Sequence, residues 1–386
     1  MKPRDIVILG VTGSIGTQAL DVIRAFPDAF RLKGISGYKN VTLIKAIALE
    51  FKPQYIVVAN DDTRSSLLLE LDYKPTVFVG DKGLVELMDV GMDQLLVAIV
   101  GTAALPPVVA AIPKVGHIAI ANKEVLVAAG SIIMDLVKQF DCRLIPVDSE
   151  HSALFQCLAA VNFNYDMVKT LTLTASGGPF WQRDPKTFDQ ITPSDALKHP
   201  NWDMGAKISI DSATMMNKGL EVIEAHHLFG ISFDQIDVVV HPQSICHSFV
   251  ETIDGAIFSH MGKPDMRYPI QYAMSYPDRF DTPFKQNHLT QMSGLTFFEP
   301  NGDAFPLLPL AIECGKKGGV YPIIFNAANE VAVQLFLDER ISFLGIADFI
   351  QSQLDAFSSN SVTTINDIIE LDKQVKAVNC STLKRL

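Results

Sequence analysis

The sequence has few cysteines, no long hydrophobic run and no excess of positive charge. No apolar stretch approaches the about 20 residues that a membrane-spanning helix needs, so no membrane association is expected. The five cysteines are odd in number and show no Cys-x-x-Cys spacing, which argues against a disulfide framework or a zinc knuckle and favours a reducing compartment. The 43 acidic residues outnumber the 32 Lys and Arg, a net charge of −11. Because nucleic-acid binding needs a basic face, it is not expected.

The first residues lead directly into a short strand-like run. Neither a secretory signal nor a transit peptide has this pattern, so we expect a cytoplasmic protein. A length of 386 residues with 48% hydrophobic residues predicts a packed, soluble chain of two or three domains.

Residues 5–125 alternate short β-branched runs with stretches of helical apolar spacing. This alternation predicts an α/β fold with a parallel sheet covered on both faces, a Rossmann-like amino-terminal domain over 1–145. The predicted strands are Asp5–Leu9, Leu32–Ser36, Tyr55–Val58, Thr76–Val79, Gln94–Val97 and His117–Ile120.

The remainder predicts three further segments. Residues 146–275 mix strands (Leu171–Thr174, Val238–Val240) with helices and form an α/β catalytic domain. Its Pro- and Gly-rich stretch 176–206 is interpreted as a flexible lid loop. Residues 276–305 resemble a linker, and 306–386 predict a carboxy-terminal helical bundle. Its helices are expected at Leu307–Lys316, Ile323–Glu339, Ile346–Phe357 and, more weakly, Ile365–Val378.

A glycine turn follows the first predicted strand. Gly10, Gly13 and Gly16 are spaced Gly-x-x-Gly-x-x-Gly, which permits a tight turn and a close approach of backbone to pyrophosphate at a helix amino terminus. A purely structural turn is the alternative. After the second strand no acid is present to hold ribose hydroxyls, while Ser36, Lys39 and Asn40 can meet a 2′-phosphate, so NADP is favoured over NAD. Otherwise Lys39 is only a solvated turn lysine.

Two polar clusters suggest a metal and a phosphorylated substrate. Asp148 and Glu150 follow the apolar run 143–147, and an extended segment would turn both carboxylates the same way. An alternative of equal weight to a metal site is that Asp148 only caps a helix and that Glu150 is a solvated side chain. Glu221 adds a third carboxylate, a set that favours Mg²⁺ or Mn²⁺ over zinc.

The second cluster runs from Ser212 to Glu221. Residues 207–211 lead in like a strand, and Ser212 is a good helix cap. Lys218 and Ser212 can then hold a phosphate, while Asn217 orients a hydroxyl. The alternative is an ordinary surface pair of Lys218 with Glu221.

Two further segments have less specific signals. Lys123 can place positive charge on a substrate oxygen, with Asn122 and Glu124 beside the nicotinamide ribose; alone this is a commonplace helix start. Trp202 lies in a Pro- and Gly-rich loop, where an exposed indole suggests a lid that closes over a ligand.

These motifs together resemble the 1-deoxy-D-xylulose 5-phosphate reductoisomerase family. They occur in order from residue 10 to beyond residue 220, and two more extend into the last third. The matching segments are Gly13-Ser14-Ile15-Gly16, Ala121-Asn122-Lys123-Glu124, Pro146-Val147-Asp148-Ser149-Glu150-His151, Thr174-Ala175-Ser176-Gly177-Gly178-Pro179-Phe180, His199-Pro200-x-Trp202-x-Met204-Gly205, Ser212-Ala213-Thr214-Met215-Met216-Asn217-Lys218-Gly219, His241-Pro242-Gln243-Ser244 and Asn326-Ala327-Ala328-Asn329-Glu330.

The resemblance implies a homodimeric enzyme of the non-mevalonate isoprenoid pathway. It would use NADPH and Mg²⁺ or Mn²⁺ to rearrange and reduce a phosphorylated sugar, 1-deoxy-D-xylulose 5-phosphate, to 2-C-methyl-D-erythritol 4-phosphate. By motif, the metal ligands are Asp148, Glu150 and Glu221, and the contacts to the reacting end are Lys123, Ser149 and Glu150. Ser176, His199, Ser212, Asn217 and Lys218 correspond to the phosphate-end site. Cofactor contacts are expected from Thr12, Gly13, Ser14, Ile15, Gly37, Lys39, Asn40, Asn122, Glu124 and Gly205.

One departure concerns the turn after the second strand, where Tyr38 stands in place of an expected glycine. Two rival functions remain at this point. A homoserine- or aldehyde-dehydrogenase-like enzyme would need no carboxylate triad and would be indifferent to chelators, and a nucleotide-sensing protein would bind NADPH without turnover.

Overall fold

The computed structural model describes residues 2–199, 202, 204–286, 288–292, 294–358 and 361–378. The chain divides into two compact units. Unit 1 comprises Met1–Val125, Ser131–Ser152 and Asp265–Lys285, and unit 2 comprises Leu126–Gly130, Ala153–Pro264 and Gln286–Leu386. The predicted boundaries differ from this division: the expected linker 276–305 is shared between the units, and the helical segment after 306 belongs to the same unit as most of the catalytic segment.

Unit 1 is built on a seven-stranded parallel sheet in the order β4-β3-β2-β1-β5-β6-β7. Its central strand carries the fully buried run Ile6, Val7, Ile8 and Leu9, as expected for a strand covered on both faces. The strands are β1 (Arg4–Leu9), β2 (Phe30–Ser36), β3 (Tyr55–Val58), β4 (Thr76–Val79), β5 (Gln94–Val97), β6 (His117–Ile120) and β7 (Arg143–Pro146). The predicted parallel sheet is thereby confirmed.

The helices of unit 1 connect and cover these strands. They are α1 (Ser14–Ala25), α2 (Val41–Phe51), α3 (Asp61–Glu70), α4 (Gly80–Glu86), α5 (Leu105–Ala111), α6 (Glu124–Gln139), the start of α7 (Ser149–Leu158) and, from the later segment, α11 (Arg267–Ser275). Residues 126–130 of α6 are counted with unit 2. The sheet order reverses between β1 and β5, and in such folds ligands bind at the carboxyl ends of the strands beside the reversal.

Unit 2 combines a four-stranded sheet with helices. The sheet order is β11-β10-β8-β9, with β8 parallel to β9 and antiparallel to β10. Its strands are β8 (Val168–Ala175), β9 (Ile236–Val240), β10 (Cys246–Thr252) and β11 (Ile257–Met261). The helices are α8 (Pro193–Ala196), α9 (Ala206–Ala213), α10 (Met216–Phe229), α12 (Leu307–Lys317), α13 (Tyr321–Leu337), α14 (Gly345–Phe357) and α15 (Ile365–Lys376). The last four confirm the predicted carboxy-terminal helices, and α13 packs against α14 and α15.

Three local predictions were wrong. Residues 207–211 form helix rather than strand, because Gly205 caps α9 and Lys207 pairs with Asp211 one turn later, at 2.8 Å. Ser212 therefore lies inside α9 and does not cap α10, whose cap is Met215 with a φ of +60°. The segment from Asp148 to Glu150 is not extended either, since α7 begins at Ser149.

The predicted lid 176–206 is largely folded. A 3₁₀ segment, Pro185–Gln190, and α8 interrupt it. Phe180 and Phe188 are 4% and 1% exposed and pack edge-on against Phe343, so this part is anchored in the core of unit 2. Pro200, Asn201 and Asp203, which the lid and its motif include, lie outside the described residues. No helix among the described residues is long and apolar enough to cross a membrane.

Candidate active site

The glycine turn after β1 is a place of close backbone packing. Gly10 has a φ of +85°, and a Cβ on it would lie 2.5 Å from the carbonyl oxygen of Ala98. A Cβ on Gly16 would lie 2.4 Å from the carbonyl oxygen of Gly10. The buried hydroxyl of Ser36 accepts a hydrogen bond from the Gly10 N–H at 2.9 Å. Only glycine fits at positions 10 and 16, and Ser36, suggested from the sequence as a phosphate contact, instead fixes the turn.

The amino terminus of α1 opens from this turn. Its cap is Gly13, which has no side chain to accept hydrogen bonds from the first-turn N–H groups. Gly13 and Ser14 are exposed, and Thr12 and Ile15 are half-buried. Uncapped N–H groups at a helix amino terminus suit an anion, so these four residues form a cradle that fits a pyrophosphate.

The turn after β2, residues 37–40, presents Lys39 and Asn40 at the surface. The Asn40 side chain also caps α2 by accepting a hydrogen bond from the Leu43 N–H at 3.0 Å. Tyr38 donates to Asp81 at 3.3 Å, and burial followed by the charge of Asp81 raises the pKa of Tyr38 to about 12. The unexpected tyrosine is thus held as a neutral phenol, while the lysine beside it stays exposed.

Asn122 is committed to the loop architecture at the ends of β5 and β6. Its buried amide donates to the carbonyl oxygens of Ile99 (2.6 Å) and Gly101 (2.9 Å) and accepts from the Val125 N–H (2.8 Å). Both amide protons are therefore used within the fold. Glu124, also buried, is the first residue of α6.

Lys123 and Asp148 form an ion pair at the carboxyl edge of the unit 1 sheet. The Lys123 Nζ lies 2.7 Å from the Asp148 Oδ2, and the two side chains are 9% and 15% exposed. Lys123 follows β6 and Asp148 follows β7, its neighbour. Buried charges of this kind are uncommon unless they are paired or serve a ligand.

The start of α7 adds two neighbours to this pair. Ser149 donates to the Glu150 carboxylate, so the predicted carboxylate lies in the first helical turn. His151 is fully buried, with its Nδ1 3.9 Å from the Asp148 Oδ2. The sequence interpretation gave His151 no role. Its i, i+3 spacing from Asp148 in a helix is the signal that would have found it.

Within unit 2, the loop after β8 brings Ser176 and His199 together. The Ser176 Oγ lies 2.9 Å from the His199 Nε2. The His199 Nδ1 accepts the Trp202 N–H at 3.0 Å, so the ring proton is on Nε2 and faces the serine. Burial lowers the pKa of His199 to about 4, and the ring is neutral at pH 7. Ser176 also accepts from the Gly178 N–H, which leaves its own proton to donate to a ligand.

Ser212 lies close to this loop. Gly178 has a φ of +69°, and a Cβ on it would lie 2.6 Å from the Ser212 carbonyl oxygen. Ser212 is itself half-buried at the end of α9. Gly205, the predicted cofactor contact of this unit, is exposed and caps the other end of the same helix.

The first turns of α10 hold the remaining polar residues. Lys218 forms an ion pair with Glu221, and Asn217 donates to the same carboxylate. Lys218 is 3% exposed and Glu221 is 0% exposed. The surface-pair alternative for Lys218 and Glu221 is therefore wrong. Fully buried Lys and Glu are rare, which makes this pair a candidate for contact with a charged ligand.

Comparisons with known proteins cover nearly the whole chain. Residues 6–130 match the family model of 1-deoxy-D-xylulose 5-phosphate reductoisomerase, and 144–229 and 261–378 match two models of its C-terminal domain. The reductoisomerase of Chloroherpeton thalassium is 47% identical over 373 residues, 96% of each chain. That of Thermoanaerobacter pseudethanolicus is 47% identical over 374 residues, 97% of each chain.

Solved structures agree. The Zymomonas mobilis reductoisomerase in complex with NADPH is 40% identical, with a TM-score of 0.90 over 97% of both chains. A reductoisomerase in complex with NADPH, fosmidomycin and magnesium is 38% identical, with a TM-score of 0.91 over 97% of both chains.

Proposed function

The chain belongs to the 1-deoxy-D-xylulose 5-phosphate reductoisomerase family, and we infer that it converts 1-deoxy-D-xylulose 5-phosphate to 2-C-methyl-D-erythritol 4-phosphate in isoprenoid synthesis, using NADPH and a divalent metal. At the level of residues, this inference rests on the arrangement of the glycine turn and the buried ion pair in unit 1. The glycine turn after β1 and the Lys123–Asp148 pair after β6 and β7 lie at the carboxyl edge of one parallel sheet. Two strand spacings separate β1 from β6, roughly 10 Å, a span that a dinucleotide bridges.

NADPH supplies the hydride in this reaction, and we propose that unit 1 holds most of it. Thr12, Gly13, Ser14 and Ile15 would cradle the pyrophosphate at the start of α1. We assign Lys39, Asn40 and Gly37 to the adenosine phosphate. Lys39 would provide a positive charge and Asn40 an amide, and Gly37 lies between β2 and these two residues. Glu124 and, from unit 2, Gly205 are assigned to the nicotinamide half. Asn122 would act there by shaping the loop 99–101, because its amide protons are bonded to that loop.

We propose Asp148, Glu150 and Glu221 as the carboxylates that hold Mg²⁺ or Mn²⁺. Their donor atoms are oxygens, which fits a hard cation. When bound, the metal would polarise the substrate's ketone and acidify the neighbouring hydroxyl. Lys123 would keep the Asp148 carboxylate oriented and add positive charge beside the reacting oxygens. Ser149, which already donates to Glu150, would contact the same end of the substrate.

The phosphate end of the substrate is assigned to unit 2. Ser176 has a proton to donate, and the neutral ring of His199 holds the serine oxygen in place. Ser212 lies beside that loop, Lys218 would supply the positive charge, and Asn217 would orient a hydroxyl. Remote binding of the phosphate would orient the reacting end and raise turnover through proximity.

We propose a homodimer that forms through the outer strand of the unit 2 sheet. In the described sheet β11 has a neighbour on one side only. It exposes Ile257 (65%), Phe258 (37%) and Met261 (38%), and exposed apolar edge strands favour pairing with a second copy. Light scattering should give twice the chain mass for the native protein and one chain mass for Ile257→Lys. A native monomer would contradict the proposal.

A cytoplasmic location is also proposed. The four described cysteines are free and buried, as in proteins of a reducing compartment. Fractionation of the source cells with an antibody to the chain would test this, and recovery in an extracellular fraction would contradict it.

The reaction is tested by following NADPH absorbance with 1-deoxy-D-xylulose 5-phosphate after EDTA treatment, and again after Mg²⁺ or Mn²⁺ is restored. Oxidation that depends on the added metal supports the reaction and the carboxylate site. Oxidation without metal would leave a reductase and refute the metal assignment, and folded NADPH-binding protein that oxidises nothing would refute the function.

A further inference from the structure

Two fully buried asparagines of α13 have no part in the function described above. Asn326 and Asn329 are both 0% exposed, and both belong to the motif 326–330. Asn326 donates to Glu330 on its own helix at 3.2 Å. Asn329 instead reaches another helix, where its Nδ2 donates to the Asp211 Oδ1 at 2.8 Å. Of the two hydrogen bonds, the one from Asn329 reaches the helix that carries Ser212.

Asp211 is a buried carboxylate held from two sides. Its side chain is 2% exposed, and its Oδ2 lies 2.8 Å from the Lys207 Nζ one turn earlier. A carboxylate removed from water needs charged or amide partners for its oxygens. Lys207 supplies one from α9 itself, and Asn329 supplies the other from α13. The Asn329 bond is therefore the part of this arrangement that ties α9 to another element.

The direction of Ser212 depends on how α9 is rotated about its axis. The helix has eight residues, and helices this short owe their placement to tertiary contacts. Successive residues are about 100° apart around the axis, so fixing Asp211 also fixes the neighbouring serine. The buried Ile210 and Ala213 press α9 against the core, but apolar contacts are not directional.

We propose that Asn329 is a positioning residue for the substrate phosphate. Through Asp211 it holds α9 at the rotation in which the Ser212 hydroxyl donates to the phosphate. The inference rests on the proposed function, because it assigns the phosphate to Ser212. It gives the motif 326–330 a task in binding in addition to packing.

The test compares Asn329→Leu with Asn326→Leu. Both variants remove a fully buried amide from the same helix, but only the first releases Asp211. A hydrogen bond to a charged group changes an equilibrium constant roughly 10- to 100-fold, and we expect the lower end of this range. Asn329→Leu should raise KM for 1-deoxy-D-xylulose 5-phosphate about tenfold, with kcat and the KM for NADPH within about twofold of the native enzyme. Asn326→Leu should leave all three unchanged.

A second measurement reads phosphate binding without turnover. Inorganic phosphate should raise the melting temperature of the native protein and of Asn326→Leu at the same half-saturating concentration. Asn329→Leu should need about ten times more. If the leucine variant does not fold, Asn329→Ser, which is smaller and too short to reach Asp211, replaces it.

Equal KM values and equal phosphate titrations for the two leucine variants would overturn the inference. A loss of kcat at unchanged KM in Asn329→Leu would also overturn it. A native enzyme that oxidises no NADPH would refute the proposed function instead, and the phosphate titration would still decide the role of Asn329.

Discussion

Replacing Gly16 by alanine gives a direct test of the cofactor cradle. The added Cβ would lie 2.4 Å from the carbonyl oxygen of Gly10 and 2.6 Å from the backbone carbon of Val11. Cβ contacts below 3.0 Å are essentially never seen, so the turn must move by about 0.6 Å, the difference between 3.0 and 2.4 Å. The obstacle is backbone, which cannot rotate away as a side chain can.

The size of the effect follows from that overlap. Overpacking of this kind costs roughly 1–3 kcal/mol, which corresponds to a roughly 5- to 150-fold weaker equilibrium constant. In an unobstructed helix, alanine would stabilise by up to about 1 kcal/mol relative to glycine. Any loss of NADPH affinity in Gly16→Ala therefore reflects the clash and not the helix propensity of alanine. We expect the Kd for NADPH to rise by up to this factor, because the turn relaxes in the free variant and must return to its native position to hold the pyrophosphate.

The assay is a fluorescence or calorimetric titration of NADPH against Gly16→Ala, with Gly116→Ala as the matched control. Gly116 precedes β6 in the same unit, and a Cβ there has no described atom within 4 Å. The control should bind NADPH like the native protein. If folded Gly16→Ala bound NADPH as tightly as the control, the glycine turn would not be the pyrophosphate site.

Three further predictions concern the reacting end, the phosphate end and acid stability. Glu150→Gln should lower kcat by orders of magnitude with NADPH affinity unchanged, and normal turnover would remove it from the metal site. Lys218→Ala should mainly raise KM and also lower the melting temperature, because the buried Glu221 loses a cationic partner; a pure kcat loss would contradict the phosphate role. Burial lowers the pKa of His227 and of His247 to about 4, below the unfolded value of about 6.5. Between these values the unfolded chain binds more protons. Stability should therefore fall by roughly 3 kcal/mol per histidine as the pH drops from 6.5 to 4, and replacement of either by Gln should flatten the pH dependence of denaturant unfolding.

The parallel sheet was predictable because its strands read as short, mostly apolar runs, and the inner strands are buried. The runs at Tyr55–Val58, Thr76–Val79 and Gln94–Val97 coincide with observed strands. The strand predicted at residues 207–211 was wrong because the alternation Ile-Ser-Ile at the centre of this segment has the period-two pattern of a strand. A helix forms here because Gly205 caps it and Lys207 pairs with Asp211. Both interactions join residues four apart, a spacing that a period-two pattern does not show. Tertiary contacts likewise anchor part of the expected lid to the core, through the buried side chains of Phe180 and Phe188.

The candidate site was predictable as a set of residue types at strand ends, but the division of labour within the set was not. Ser36 and Asn122 have the chemistry of ligand contacts, yet both direct their polar groups to backbone that shapes the cofactor turn and its neighbouring loop. Ser176 has the same chemistry, but it accepts two hydrogen bonds and keeps its proton for a ligand. Residue type and spacing are alike in the two cases. The two cases differ in which hydrogen-bond donors and acceptors the fold has already paired. This pairing depends on contacts between residues far apart in sequence, such as Asn329 with Asp211.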